Sequence, residues 1–205
     1  MSRALPARVA GLVLGAVLAL AGCGADSVPT PGPARIDVDT PQLRELKTKA
    51  GIEGCVSGTA EPVDGGLPDL TLPCFGGGED VDLASLRGPL VVNLWASWCG
   101  PCVKEMPAVA DFYEKYGDQV PVLGIDYQDR QTEPAIELAE KSGVTYPLLA
   151  DPQGDLRAKA PYPALPPIPS FTFVAADGTV TLVPGGIDSS GELVDLVEQH
   201  LGISL

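Results

Sequence analysis

A buried strand and a helix meet at a pair of cysteines in this chain. Residues 89–96 read PLVVNLWA, an apolar run typical of a central strand that is buried on both faces. Cys99 and Cys102 follow it, and apolar residues then recur at helical spacing as far as residue 116. The sequence therefore predicts a strand, a tight turn that carries the cysteines, and a helix that begins at them.

This Cys-Gly-Pro-Cys spacing suits redox chemistry. At the start of a helix, two cysteines three positions apart lie one turn apart, close enough to form a small-ring disulfide. The sulfur of Cys99 faces free backbone N–H groups and the positive end of the helix dipole, which stabilise a thiolate. We therefore predict that Cys99 is the nucleophile and Cys102 the more buried resolving thiol. Half of a zinc site is one alternative, but the chain has no second Cys-X-X-Cys and a single histidine, His200. A structural disulfide is the other, although such tight rings are seldom structural.

The order of the predicted elements indicates an α/β domain with a mixed central sheet. Further predicted strands and helices are, in chain order, a helix at 41–50, a short strand at 67–72, a strand at 120–127, a helix at 134–142, a strand at 146–150, a weaker helix at 155–160, a hairpin of 170–175 and 179–183, and a helix at 188–201.

Composition and charge exclude several classes of protein. The 205 residues are 45% apolar and 20% charged, which is ordinary for a globular domain and excludes a disordered chain. The net charge of −14 argues against a nucleic-acid-binding protein, because such proteins need a basic footprint. The one histidine, His200, excludes a multi-histidine zinc site and leaves a histidine-based triad a single candidate, five residues before the end of the sequence. We predict neither a metal nor an organic cofactor.

The N-terminal residues have the pattern of an export signal. Two arginines precede an apolar run at residues 9–20, which is shorter than the roughly 20 residues of a spanning helix. The run ends in Leu-Ala-Gly-Cys, which resembles a bacterial lipobox. We therefore predict a lipoprotein signal peptide at 1–22, lipidation of Cys23, a flexible Pro- and Gly-rich tether at 23–40, and a folded domain at 41–205. A plain signal peptide is the alternative.

The block WASWCGPC, followed by Lys-Glu-Met-Pro, resembles the TlpA/ResA-like branch of the thioredoxin superfamily. The likeness covers about residues 66–202 and includes the segment IPSFTFV that begins at Ile168. It implies a thioredoxin-like fold, in which helices flank the mixed sheet, with the N-terminal extension of this branch. It also implies a membrane-tethered, extracytoplasmic thiol–disulfide oxidoreductase.

The resemblance extends to three further residues, Pro169, Glu105 and Asn93. Pro169 matches a cis-proline that faces the cysteine pair and presents backbone to the bound substrate; a stiff turn is the alternative. Glu105 matches an acidic residue that can move the proton of the buried thiol, and a solvated surface glutamate is the alternative. Trp98 is expected to line the substrate surface. Asn93 stands where thioredoxins proper carry a buried aspartate, which leaves Glu105 as the better proton carrier.

Two cysteines remain, Cys55 and Cys74. In an oxidising compartment, such a pair usually closes, so the parity of the count predicts a structural disulfide between them. A relay of electrons to Cys99 and Cys102 is the alternative.

The expected function is that of a lipid-anchored reductant of protein disulfides at the extracytoplasmic face of a bacterial cell membrane. The resemblance implies c-type apocytochromes as clients and a membrane protein of the CcdA/DsbD type as the electron donor. Three alternatives stay open: an oxidant that forms disulfides in exported proteins, a peroxide-reducing redoxin, and a lipoprotein that uses the fold only for binding.

Overall fold

The computed structural model describes residues 35–205. The predicted signal peptide at 1–22, Cys23 and most of the predicted tether lie outside these residues. The last tether residues differ from the expectation of a flexible segment. Val38 is buried, and its carbonyl oxygen accepts a hydrogen bond from the N–H of Gly76 at 2.8 Å. Folded structure therefore begins before residue 41, because Val38 packs into the core.

This part of the chain contains four α-helices, one short 3-10 helix (Leu83–Ser85) and seven strands. The helices are α1 (Pro41–Ala50), α2 (Gly100–Tyr116), α3 (Thr132–Lys141) and α4 (Ser190–Leu201). The strands are β1 (Thr71–Leu72), β2 (Val81–Asp82), β3 (Leu90–Trp95), β4 (Val122–Tyr127), β5 (Leu148–Asp151), β6 (Ser170–Val174) and β7 (Val180–Pro184). None of these helices has the length and apolar character needed to cross a membrane.

The five-stranded central sheet has the order β5-β4-β3-β6-β7. Strands β3, β4 and β5 are parallel, whereas β6 and β7 are antiparallel to their neighbours, so the sheet is mixed, as predicted. All six residues of β3 are buried, as its continuous apolar sequence predicts for a central strand. The register pairs Trp95 with Asp126 and Leu94 with Ser170. The end of β3 therefore adjoins the end of β4 and the start of β6.

Helices cover one face of the sheet. Side chains of α1, α2, α3 and α4 join one buried cluster together with Val91 and Trp95 of β3. The other face holds Val92 and Leu94, and chain segments outside the four α-helices pack on it. Because side chains alternate along a strand, β3 contributes to both clusters.

Two expected elements differ from the structure. The predicted helix at 155–160 is wrong, because these residues form turns. The carboxylate of Asp151 accepts the N–H groups of Asp155 and Leu156 at 2.7 and 3.0 Å, and Ala158 has a left-handed backbone with φ of 57°. Both features compete with a continuous helix. In the predicted strand at 67–72, only the last two residues pair, with β2.

A disulfide joins Cys55 to Cys74, whose Cα atoms are 5.8 Å apart. The residue after Cys74 is Phe75, whose N–H donates to the carbonyl oxygen of Leu148 in the edge strand β5 at 2.8 Å. The pair therefore ties the long segment before β3 to the chain beside β5.

Candidate active site

The two cysteines of the motif lie at the first turn of α2. Cys99 is the N-cap of this helix, and its Sγ accepts the N–H of Cys102 at 3.2 Å. Pro101 occupies the first turn, where its missing N–H costs no hydrogen bond. The Cys99 sulfur thus lies where free N–H groups and the helix dipole favour a negative charge.

Cys99 and Cys102 form a disulfide, with Cα atoms 5.2 Å apart. The two sulfurs differ in access to solvent: Cys99 is 6% exposed, whereas Cys102 is completely buried. An incoming thiolate or disulfide therefore reaches the Cys99 side first. An attacking and a resolving thiol would need this difference in access, and the two roles stay a prediction.

Glu105 lies three positions beyond Cys102 in α2 and is only 1% exposed. Its burial removes the alternative of a solvated surface glutamate. Asn93 in the middle of β3 donates from Nδ2 to Glu105 Oε1 at 2.8 Å. Burial raises the pKa of Glu105 to about 7, and hydrogen bonds from Asn93 and the Ile187 backbone oppose part of that rise. Glu105 is therefore a buried carboxyl group that titrates near neutral pH.

Pro169 lies directly before β6, and its peptide bond to Ile168 is cis, as the resemblance implies. Its carbonyl oxygen accepts the N–H of Gly185 at 3.0 Å. Gly186, the residue after Gly185, lies between Pro169 and Glu105. A Cβ atom on Gly186 would stand 2.8 Å from Glu105 Oε2 and 3.1 Å from Pro169 Cγ. Glu105 and Pro169 therefore border the same backbone position, a role for Gly186 that sequence reasoning missed.

The two tryptophans beside the motif lie in different environments. Trp95 is completely buried in the core, whereas Trp98 is 52% exposed. The indole N–H of Trp98 donates to the carbonyl oxygen of Gln128 at 3.2 Å, so the exposed ring is held in place. Trp98 thus offers an ordered apolar surface beside Cys99.

Asp129 supports the turn before Cys99 and was also missed. Its carboxylate accepts the backbone N–H of Ser97 at 2.7 Å as well as the Ser97 hydroxyl group, and its other oxygen accepts the N–H of Gln131 at 2.8 Å. Asp129 also affects Asp126, near the end of β4. Burial, together with the nearby carboxylates of Asp129 and Asp151, raises the pKa of Asp126 well above its usual range. The available signal was topological: Asp129 follows β4, and the ends of parallel neighbours β3 and β4 share one edge of the sheet.

The fold and this dithiol site together define a thiol–disulfide oxidoreductase of the thioredoxin fold. The sequence profile of the AhpC/TSA family matches residues 63–183, more than half of the chain. The protein therefore belongs to the AhpC/TSA family.

Two similar proteins carry related names. The thiol-disulfide oxidoreductase ResA of Geobacillus thermodenitrificans is 28% identical over 145 residues, which cover 70% of this chain and 78% of ResA. The thioredoxin-like protein YneN of Bacillus subtilis is 31% identical over 90 residues, 42% of this chain. That match spans only 52% of YneN, about half of its length.

Solved structures show the same fold. Mycobacterium tuberculosis DsbF superimposes with a TM-score of 0.56 at 28% identity, over 65% of this chain and 96% of DsbF. A DsbF homologue from Corynebacterium diphtheriae superimposes with a TM-score of 0.55 over 72% of this chain and 99% of its own. At 21% identity, the second structure shows the likeness of fold alone.

Proposed function

We propose that this protein reduces disulfide bonds of exported proteins, with Cys99 as the attacking thiolate and Cys102 as the resolving thiol. The observation that carries the proposal is the buried carboxyl group of Glu105, one helical turn from the buried Cys102. A resolving thiol that is shielded from water needs a nearby group to take its proton.

Each turnover transfers two electrons from the protein to its client. The Cys99 thiolate attacks one sulfur of a client disulfide, which forms a mixed disulfide and releases the other client sulfur as a thiolate. Cys102 then attacks Cys99 Sγ, and the first client sulfur leaves. The client ends as a dithiol after taking up two protons, and the protein ends with the Cys99–Cys102 disulfide described above.

Glu105 serves the second step as the proton acceptor of Cys102. With a pKa of about 7, its carboxyl group is populated in both protonation states near neutral pH, which is the best range for moving a proton. Asn93 keeps the carboxyl group oriented through its hydrogen bond. When the disulfide is reduced again, Glu105 can return the proton to Cys102.

The client side of the site includes Trp98 and Pro169. Trp98 presents an exposed ring before Cys99, and Pro169 directly precedes Ser170, which pairs with Leu94 in the register of β3 and β6. We propose that a client polypeptide binds along the backbone at Pro169 and against the Trp98 ring.

Partners and location follow from the sequence resemblance. We propose c-type apocytochromes as clients and a CcdA/DsbD-type membrane protein as the electron donor. We also propose that acyl chains on Cys23 hold the domain at the extracytoplasmic face of the bacterial membrane. The Gly-Pro dipeptide between the cysteines, shared with reducing thioredoxins, supports reduction over the opposite direction.

A trapping experiment tests the catalytic proposal. Cys102→Ser removes the resolving thiol, so a client attacked by Cys99 stays covalently attached. We expect adducts on gels run without reductant that disappear on reduction. Cys99→Ser is the matched control, because it keeps the buried Cys102 and removes the accessible sulfur. Absence of adducts with Cys102→Ser would support a binding lipoprotein, and single-turnover reaction with peroxide would support a peroxide-reducing redoxin.

A further inference from the structure

Lys47 is an unusual residue on the buried face of α1. Only two residues of this helix are buried, Leu43 and Lys47, one turn apart. Lys47 is 7% exposed, and its Nζ lies 3.0 Å from Cys74 Sγ and 2.8 Å from the carbonyl oxygen of Gly77. A helix face that packs on the core thus places an amine against the Cys55–Cys74 disulfide.

Among the residues that the structure describes, this amine has no carboxylate partner. None of the ion pairs formed within residues 35–205 includes Lys47. The acid whose charge acts on Lys47 is Asp39, and Arg44 already binds Asp39 through two hydrogen bonds of 2.6 and 2.7 Å. Burial lowers the pKa of Lys47, and Asp39 opposes this only in part. A neutral disulfide sulfur is a weak acceptor, whereas a thiolate would be a full counter-ion.

The two sulfurs of this disulfide also differ in access. Cys55 is 6% exposed and lies in a segment without secondary structure, between the exposed residues Gly54 and Val56. Cys74 is 1% exposed and is the sulfur that contacts Lys47. A thiolate from outside therefore reaches Cys55, and the leaving group is Cys74, beside the ammonium group.

We propose that Cys55–Cys74 is a second exchangeable disulfide whose substrate is a protein dithiol, and that Lys47 stabilises the Cys74 thiolate released by reduction. Closed, the disulfide still ties the segment before β3 to the chain beside β5. The proposal does not depend on client reduction by Cys99.

The exchange balances as a two-electron transfer. A thiolate of the dithiol attacks Cys55 Sγ, forms a mixed disulfide and releases Cys74 as a thiolate that pairs with the Lys47 ammonium. The second thiol of the donor then attacks the donor sulfur, which releases Cys55. The donor ends as a disulfide. One of its two protons ends on Cys55, and the other goes to water.

The test compares two lysine variants of the same helix. Lys47→Met removes the ammonium group and keeps an unbranched apolar side chain, whereas Lys49→Met changes an exposed lysine whose ion pair with Glu140 lies at the surface. The purified proteins are equilibrated in dithiothreitol buffers of graded redox ratio, quenched with acid and alkylated. Mass spectrometry of peptides then reads both cysteine pairs in one sample, so Cys99–Cys102 reports separately on the proposed client reaction.

We expect the wild-type Cys55–Cys74 pair to equilibrate with the buffer while far-UV circular dichroism shows a folded protein. Lys47→Met should shift the equilibrium about tenfold toward the disulfide, and Lys49→Met should leave it unchanged. A pair that stays oxidised until the protein unfolds, or equal equilibria in the two variants, would overturn the proposal.

A second measurement requires no variant. In the reduced wild type, the pH profile of Cys74 alkylation should have its midpoint below the value of about 8.5 that is ordinary for a thiol. A midpoint at or above that value would show that Lys47 does not stabilise the thiolate.

Discussion

Replacing Glu105 with glutamine removes one buried ionisable group and changes little else. The side chain keeps its shape, and its Oε1 can still accept the Asn93 N–H that lies 2.8 Å from the carboxylate oxygen. Any pH dependence that the substitution abolishes therefore belongs to the ionisation of Glu105.

The size of the effect follows from the pKa. Folding raises the pKa of Glu105 from 4.5 to about 7, because burial penalises the charged form. Between these values the folded protein keeps a proton that the unfolded chain has lost. The resulting stability is complete below pH 4.5 and is lost as the pH rises through about 7. At about 1.4 kcal/mol per pKa unit, the loss is about 3 kcal/mol.

Urea denaturation of the oxidised proteins from pH 4.5 to 8.5 measures this loss. We expect the free energy of unfolding of Glu105→Gln, relative to wild type, to rise by about 3 kcal/mol across the range. Taking the difference cancels the contributions of Asp126 and Asp151, whose pKa values burial also raises. A difference that does not change with pH would refute the assignment of Glu105 as a group that titrates near pH 7.

The same variant tests proton transfer. In Glu105→Gln, resolution of a mixed disulfide by Cys102 should slow by about 100-fold at pH 7. This is the lower end of the rate loss expected when a general base is removed. Glu114→Gln, which changes an exposed glutamate of α2, is the matched control and should react like wild type. Rapid-quench measurement with a model peptide disulfide gives the rate, and equal rates in the two variants would exclude a role for Glu105 in this step.

Three further substitutions probe the surroundings of the site. Asp129→Asn should destabilise the protein by about 2 kcal/mol in urea denaturation, because one acceptor of the Ser97 and Gln131 hydrogen bonds is lost; an unchanged midpoint would contradict this. Gly186→Ala should cost about 1–3 kcal/mol and slow resolution, since the new Cβ meets the Glu105 carboxylate; wild-type behaviour would contradict the close approach. Trp98→Ala should change stability by less than about 1 kcal/mol but lower the yield of trapped client in the Cys102→Ser background, and an undiminished yield would exclude the ring from client binding.

Local sequence patterns were sufficient to predict the elements that carry the cysteines. The run of β3 is apolar at every position except Asn93, and the cysteine spacing and Pro101 indicate where α2 begins. The mixed sheet followed from the order of these elements with the Asp-Gly hairpin that joins β6 to β7. These signals are local, so a single sequence contains them.

Residues that only the folded chain brings together were not predictable. Lys47 occupies the apolar position of a helix, where sequence periodicity gives no reason to expect a buried amine. Asn93 and Glu105 are twelve positions apart, and their hydrogen bond depends on how α2 packs on β3. The predicted helix at 155–160 failed for a local reason, because the Asp151 carboxylate, four and five residues earlier, holds the N–H groups of Asp155 and Leu156 in a turn.

The redox state of Cys99 and Cys102 in intact cells tests the central claim most directly. Acid quenching, alkylation and mass spectrometry of the peptide that contains both cysteines give the reduced fraction. A reductant with an active electron supply should hold this pair mostly reduced. A mostly oxidised pair would contradict the proposed direction and would identify the protein as an oxidant that forms disulfides.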